Sequence, residues 1–303
     1  MNNYKSGFVT LIGRPNVGKS TLINKLIGKK ITITSPIAQT TRNKLRGILT
    51  TDDTQIIFID TPGIHKPHHL LGEKLVKNAK SAINGVDLIL LIFDSYHKPG
   101  KGDEYIKDLL VANSSKCIIV LNKWDLVEES DRYGRLNQYK EILNDNFITF
   151  QEVSAINGYG CNQLLKKIKE FLPEGKPLYP KDTIVDQPIK VLLSELIREQ
   201  VLLNTREEIP HSVAVKIEKI EYRKNKGKEI TAIFAIVVVE RKSQKGILIG
   251  KGGSMLKIIG HSARMNIKNL IEGSIYLELF VKVIPNWRKK ESKLIEFGYE
   301  DDI

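Results

Sequence analysis

The sequence predicts a two-part chain: an α/β unit with a mostly parallel sheet wrapped by helices, followed by a smaller α+β unit. Across residues 1–172, short β-branched apolar runs alternate with longer amphipathic stretches, the pattern of a parallel sheet with crossover helices. A break follows, in which Pro173, Pro177, Pro180 and Pro188 place four of the eleven prolines within residues 172–188. Beyond it the order becomes helix, strand, strand, helix, strand, as in a three-stranded sheet with helices on one face. A length of 303 residues suits two domains.

Residues 8–12 (FVTLI) form the first strand and end at a glycine-rich turn, after which Ser20–Ile27 has helical spacing. Gln55–Ile59, Asp87–Phe93 and Cys117–Leu121 are nearly continuous apolar runs, as expected of strands buried on both faces. Leu71–Asn84 and Asp103–Ala112 lie between them and read as helices; Phe147–Val153 and Asn162–Phe171 supply a last strand and helix. Proline blocks both helix and sheet hydrogen bonding, so residues 173–188 are expected to be a linker between domains at 1–172 and 189–285. In the second domain the expected elements are a helix at Ile189–Leu203 and strands at Val213–Tyr222 and Lys228–Arg241, joined by a charged turn at Arg223–Gly227. A helix from Met255 to Glu272 and a strand at Ser274–Val283 complete it. A charged tail, residues 286–303, begins near Trp287.

Composition excludes some classes. The longest apolar runs, Ile230–Val239 and Val86–Phe93, fall well short of the roughly 20 residues a membrane-spanning helix needs. Met1–Thr10 contains no apolar block of signal-peptide length, so secretion is not expected. Cys117 and Cys161 are the only cysteines and have no metal-ligand spacing, which fits a reducing cytoplasm rather than a disulfide or zinc scaffold. A net charge of +12 favours polyanionic partners, but the excess is +6 in residues 1–187 and +6 in 188–303, so it does not form a basic tail.

Gly13-Arg14-Pro15-Asn16-Val17-Gly18-Lys19-Ser20, followed by Thr21, matches G-x-x-x-x-G-K-[ST] between a strand and a helix. Glycines let the backbone curl so that its N–H groups face phosphate oxygens at the positive end of a helix. Lys19 is expected at the β- and γ-phosphates, and the Ser20 hydroxyl on Mg²⁺. Asp60-Thr61-Pro62-Gly63 follows the strand at 55–59: Asp60 is expected to hold Mg²⁺ through water, and the Gly63 N–H to meet the γ-phosphate. Asn122-Lys123-Trp124-Asp125 ends another strand. A carboxylate there can accept from guanine N1–H and N2–H₂, a donor pair that adenine lacks. Ser154-Ala155, after the next strand, offers a backbone N–H to guanine O6.

With these motifs in this order, the chain resembles a translation-factor-related (TRAFAC) GTPase of the Era type over nearly its full length. The resemblance implies a P-loop GTPase domain, GTP/GDP and Mg²⁺ as ligands, and a first switch at Gln39-Thr40-Thr41-Arg42 in which Thr41 binds Mg²⁺. Switch segments are expected at 33–43 and 60–80. Ile64 stands where many GTPases carry the glutamine that orients the attacking water. His65 is adjacent and reads better as an exposed switch histidine than as a base; His68 and His69 rank below it. The resemblance to asparagine-bearing, cation-stimulated GTPases implies that Asn16 holds K⁺. Slow intrinsic turnover and a timer's behaviour follow.

Ile249-Gly250-Lys251-Gly252-Gly253, with Leu256 three residues on, matches the G-x-x-G loop of a KH domain, here of type 2. Such a loop lets backbone approach the phosphates of a single strand, with Lys251 adding charge and Ile247 and Ile249 flanking a base groove. The resemblance implies single-stranded RNA at the 3′ end of small-subunit ribosomal RNA and a role in assembling the 30S subunit. It also implies a cytoplasmic monomer, with weak peripheral membrane association as a lesser expectation. Alternatives are a GTPase of a tRNA-modifying complex, which would end in a cysteine beside glycine-lysine rather than in Gly298–Ile303, and a membrane-associated signalling GTPase, which would need a lipidation cysteine or a basic amphipathic helix. A single phosphate loop argues against a tandem GTPase.

Overall fold

A computed structural model of the protein describes residues 4–37, 40–64, 70–83, 85–111, 116–143, 149–225, 228–271 and 273–299. The expectations for Gln39, His65, His68 and His69 fall outside the described residues. The first unit is a six-stranded sheet in the order β2-β3-β1-β4-β5-β6. Its strands are β1 (Lys5–Gly13), β2 (Leu45–Thr50), β3 (Thr54–Asp60), β4 (Leu88–Asp94), β5 (Cys117–Asn122) and β6 (Phe150–Glu152). All neighbouring pairs are parallel except β2 with β3. Helices α1 (Lys19–Ile27), α2 (Leu70–Ser81), α3 (Lys101–Val111), α4 (Arg132–Leu143) and α5 (Cys161–Phe171) wrap it.

The side-chain period of two explains the continuous apolar runs. On β4, Leu88, Leu90 and Ile92 pack with α1 and α5 through Leu22, Ile23, Leu164 and Ile168. Ile89, Leu91 and Phe93 of the same strand face the other way, toward Ile106 of α3 and Tyr139 and Leu143 of α4. The C-terminal ends of β1, β3, β5 and β6 open on one edge of the sheet, where α/β proteins bind ligands.

The proline-rich stretch is strapped to the first unit rather than hanging free. Backbone bonds run from Ser6 N to Pro173 O, from Gly175 N to Tyr4 O and from Ile48 N to Ile184 O. The buried Gln55 side chain accepts from Leu178 N and Tyr179 N and donates to Tyr179 O.

The second unit contains α6 (Ile189–Asn204), α7 (Ile209–Ser212), β7 (Ala214–Asn225), β8 (Lys228–Val239), α8 (Lys242–Ile249), α9 (Ser254–Lys268) and β9 (Ser274–Val283). β7 and β8 form an antiparallel hairpin, and β9 runs parallel to β8. Ile233, Ala235, Val237 and Val239 of β8 meet Leu193 and Ile197 of α6, Leu248 of α8 and Ile259 and Ala263 of α9.

The charged tail is a folded cap. Trp287 is fully buried, and α10 (Glu291–Glu296) follows it. Trp287, Leu294, Phe297 and Tyr299 cluster with Ala214 and Val238 of the second sheet and with Leu71 and Leu75 of α2, joining the two units. The sequence reading counted only charges here and missed four buried apolar residues. Among the described residues, no helix is long and apolar enough to cross a membrane.

Candidate nucleotide site and nucleic-acid groove

The loop between β1 and α1 is shaped by close approaches that exclude a side chain. A Cβ on Gly13 would lie 2.5 Å from the Ile92 carbonyl, and one on Gly18 2.2 Å from Asn122 Nδ2. Gly18 also caps α1 at φ +96°, a region glycine enters without cost. Lys19 is buried and bridges the loop, donating to the carbonyls of Gly13 (3.1 Å) and Arg14 (2.8 Å). Arg14 leans away, paired with Asp103 of α3 at 2.8 Å. The Asn16 amide donates to the Pro36 carbonyl at 2.7 Å, tying the loop to residues 33–37.

At the mouth of this loop three oxygen-bearing side chains converge. Ser20 Oγ lies 2.8 Å from Thr41 Oγ1 and donates to Asp60 Oδ2 at 2.8 Å, and Thr41 Oγ1 donates to the same oxygen at 3.2 Å. Asp60 is fully buried, and its Oδ1 has no hydrogen-bond partner among the described residues. Burial pushes the Asp60 carboxyl up to about 6 against the pull of Ser20, Lys19 and Thr41, and pushes Lys19 down to about 8. A hard divalent cation suits this donor set and would supply the charge that Asp60 lacks partners for. A pocket beside it is lined by Pro15, Lys19, Thr21, Thr34, Thr40 and Gly63.

A second pocket on the same edge is walled by Thr21, Asn122, Lys123, Asp125, Ala155 and Ile156, with Asp125 exposed within it. Asn122 braces this wall: its Nδ2 donates to Val17 O (2.8 Å), and its Oδ1 accepts from Ala155 N (3.0 Å). Ser154 N donates to Tyr159 O at 2.9 Å. The backbone N–H expected at guanine O6, whether from Ser154 or Ala155, is therefore donated within the protein. Lys123 Nζ pairs with Asp94 at 2.7 Å.

Four motif residues serve the framework through their side chains. Ile64 and Trp124 are buried in the core on the α3/α4 side, and Val17 in the core on the α1/α5 side. Thr61 Oγ1 donates to Leu11 O at 2.6 Å.

In the second unit, α8 ends at Gly250, a short 3₁₀ turn spans Lys251–Gly253, and α9 starts at Ser254. Gly250, Gly252 and Gly253 all have positive φ, at 73°, 60° and 80°. The groove beside this loop runs between α9 and the edge strand β9, lined by Gly253, Leu256, Lys257, His261, Arg264 and Leu279. Ile249 is not on this wall as expected: it packs, partly buried, against the second unit's core, and Ile247 is half exposed outside the groove lining. Lys257, His261 and Arg264 were missed, although their helical spacing after the glycine loop places them on one face of α9.

Comparison with known proteins matches this geometry. The family model described as "50S ribosome-binding GTPase" matches residues 8–123, and the KH domain model matches residues 208–288. The GTPase Era of Crocosphaera subtropica is 54% identical over 98% of this chain and 93% of its own length, and that of Rippkaea orientalis 52% identical over 98% and 93%. A crystal structure of Era with MgGDPNP and nucleotides 1506–1542 of 16S ribosomal RNA superposes with a TM-score of 0.94 at 37% identity, covering 98% of this chain and 99% of that one. Aquifex aeolicus Era bound to GDP·AlF4⁻ gives 0.93 at 36%, with 97% and 99% covered. Near-complete coverage at this identity, on a phosphate loop and a KH loop in the same order, means that the chain belongs to the Era family of GTPases and hydrolyses GTP.

Proposed function

We propose that this GTPase binds single-stranded RNA at the 3′ end of small-subunit ribosomal RNA and uses GTP to time a step in assembling the 30S subunit. The supporting observation is the groove of α9 and β9, in which a glycine loop and the bases Lys257 and Arg264 flank an apolar floor of Leu256 and Leu279. A relative of similar fold was crystallised with such an RNA. In the nucleotide site, Lys19 and the loop from Gly13 to Thr21 hold the phosphates, and Gly63 meets the terminal one. Asp125 reads guanine, with Asn122, Lys123, Ser154 and Ala155 forming the base wall. Ser20 and Thr41 hold Mg²⁺, with Asp60 behind them; the bound ion neutralises charge on the transferred phosphoryl. Asn16 holds K⁺ beside it, a role tested by comparing turnover in K⁺ and Na⁺: equal rates would remove it. The protein acts in the cytoplasm as a monomer.

The decisive experiment measures affinity for a labelled oligonucleotide of the 16S 3′ end with the protein nucleotide-free, GDP-bound and bound to a non-hydrolysable GTP analogue. The triphosphate state is expected to bind tightest; equal affinity in all three would overturn the switch. Lys19→Ala should abolish hydrolysis and leave the RNA affinity of the nucleotide-free protein unchanged. Gly252→Asp should do the reverse: a Cβ there meets nothing within 4 Å, the φ of +60° is a region that aspartate enters more readily than most residues, and the new charge opposes the phosphates. Large-subunit attachment, the reading suggested by the description of the G-domain family model, predicts co-sedimentation with 50S rather than 30S particles.

A further inference from the structure

Two consecutive charged residues of α6, Arg198 and Glu199, are 1% and 0% exposed, although α6 belongs to the second unit. Both reach into the first unit, toward the segment that carries Thr41. Arg198 donates to the Thr40 carbonyl, its guanidinium oriented by the Glu195 carboxylate at 2.5 and 3.0 Å. Glu199 accepts from Thr34 N–H at 2.9 Å and from Lys30 Nζ at 2.6 Å. Behind it, Asn266 of α9 donates to the same carboxylate at 3.3 Å, fixing the helix that presents it. Arg42 returns the contact. It is 1% exposed, donates to the carbonyls of Val213 (2.6 Å) and Pro210 (3.1 Å), and stands 5.8 Å over the Tyr299 ring.

Thr41 therefore lies between two crossing arginines: its predecessor is held from the second unit, and its successor is anchored in it. Buried charges stay buried only when paired or well hydrogen-bonded: Arg198 is paired with Glu195 and Glu199 with Lys30, while Arg42 is held by carbonyls. The targets matter more than the burial. Glue between domains would attach to framework helices or strands, whereas Arg198 and Glu199 hold main-chain atoms of Thr40 and Thr34, on the irregular segment from which the Thr41 hydroxyl, among the described residues, meets the Ser20 and Asp60 side chains. We propose that Arg198 and Glu199 are positioning residues for GTP hydrolysis: from the RNA-binding unit, they fix the backbone on which the Thr41 hydroxyl reaches the Ser20–Asp60 cluster.

In the full-length chain, Arg198→Ala should lower kcat for GTP about tenfold or more and raise the Mg²⁺ concentration for half-maximal turnover, with GDP affinity unchanged, because a charge-assisted hydrogen bond is lost. Amide hydrogen exchange at residues 40–45, read without nucleotide or Mg²⁺, should speed up by about the same factor. That second readout stands whether or not the metal assignment does. Glu199→Gln keeps an acceptor for Thr34 and should be milder than Glu199→Ala. The separating measurement is a cycle with Thr41→Ala: the double variant should turn over GTP no more slowly than Thr41→Ala alone, since Arg198 acts through Thr41. Multiplying losses, or unchanged exchange at 40–45 in Arg198→Ala, would overturn the proposal. Arg198→Lys keeps the charge and one donor, and carries the same comparison should the alanine variant fail to fold.

Discussion

Trp287 offers the most direct test of how the two units are held together. It is fully buried in the segment that follows the second sheet, donates from Nε1 to the Ser212 carbonyl at 2.8 Å, and packs edge-on to Phe297 at 5.3 Å and stacked on Tyr299 at 6.0 Å. Truncation of a buried tryptophan to alanine costs about 3–5 kcal/mol. Loss of the only indole donor adds about 1 kcal/mol at Ser212. Trp287→Phe refills most of the space and isolates the hydrogen bond, so it should cost only about 1–2 kcal/mol. With a urea slope of about 3 kcal/mol/M, the alanine variant should lower the unfolding midpoint by about 1–2 M, and the phenylalanine variant by about 0.5 M. A chain of two units need not unfold in one step, so the midpoint is read from amide exchange of β7 and β8 as well as from circular dichroism. Leu71 and Leu75 of α2 share the cluster, so exchange in α2 should rise too. A midpoint shift below about 0.3 M for Trp287→Ala would refute the view that this cap is structural.

Other substitutions test the nucleotide site. A Cβ on Gly63 would stand 2.6 Å from Pro15 N and 2.7 Å from its Cα, so Gly63→Ala must shift residue 63 or the phosphate loop; GTP turnover should fall about a hundredfold and GDP affinity by a smaller factor, measured by single-turnover kinetics and titration calorimetry. Asp125→Asn should weaken GTP by about ten- to a hundredfold and favour xanthosine triphosphate in competition binding, because half of the acceptor pair becomes a donor; retained guanine preference would remove Asp125 from base reading. Hydrogen bonds from Lys293 and Lys216 pull the Glu296 carboxyl down to about 2. A depressed carboxyl contributes stability above its unfolded value near 4.5, and that contribution is lost as pH falls toward 2. The pair is a third exposed, so it is worth at most about 1 kcal/mol. Melting temperatures of the protein and of Glu296→Gln should hold a constant gap above about pH 5 and draw together as pH falls from about 4.5 toward 2; a gap unchanged over that range would assign the loss to packing.

The catalytic edge of the sheet was legible because its motifs follow β1, β3 and β5, strands that end in apolar runs, and the order of the motifs put them together. Elements lacking a hydrophobic signature were not legible. β2 is interrupted by Arg46 and Gly47 and gains its place by antiparallel pairing with β3, a tertiary fact. α4 has no apolar stripe, with only Tyr139 and Leu143 buried. α8 is a short helix of eight residues abutting the glycine loop, and the stretch between the expected strand and that loop received no helix bounds of its own. Proline density flagged 173–188 as a linker but gave no sign of its attachment to the first unit, because that rests on backbone bonds to β1 and β2 and on Gln55, a polar residue within a sheet. Ile249 was misplaced for a similar reason: adjacency to a loop says nothing about which way a side chain turns once a helix ends beside a core. Nothing in the sequence marks Arg42, Arg198 and Glu199 as buried charges; they lie where the two units meet, each with partners in the other unit.

That docking constrains how nucleotide and RNA communicate. α6 holds residues 34 and 40 on one side and, through Glu199, the helix α9 that lines the groove on the other. If a GTP analogue tightens RNA binding by some factor, linkage requires RNA to tighten the analogue by the same factor; a tenfold effect is about 1.4 kcal/mol in either direction. Glu199→Ala cuts a side chain that, among the described residues, is bonded to both partners. Its expected signature is a fall in both legs of this cycle by equal amounts, with RNA affinity of the nucleotide-free protein within about twofold of the parent, measured by anisotropy and by titration of the analogue with and without oligonucleotide. A coupling factor unchanged by Glu199→Ala would mean that communication runs instead through the Trp287 cluster and α2, and the double variant with Trp287→Phe would then carry the whole loss.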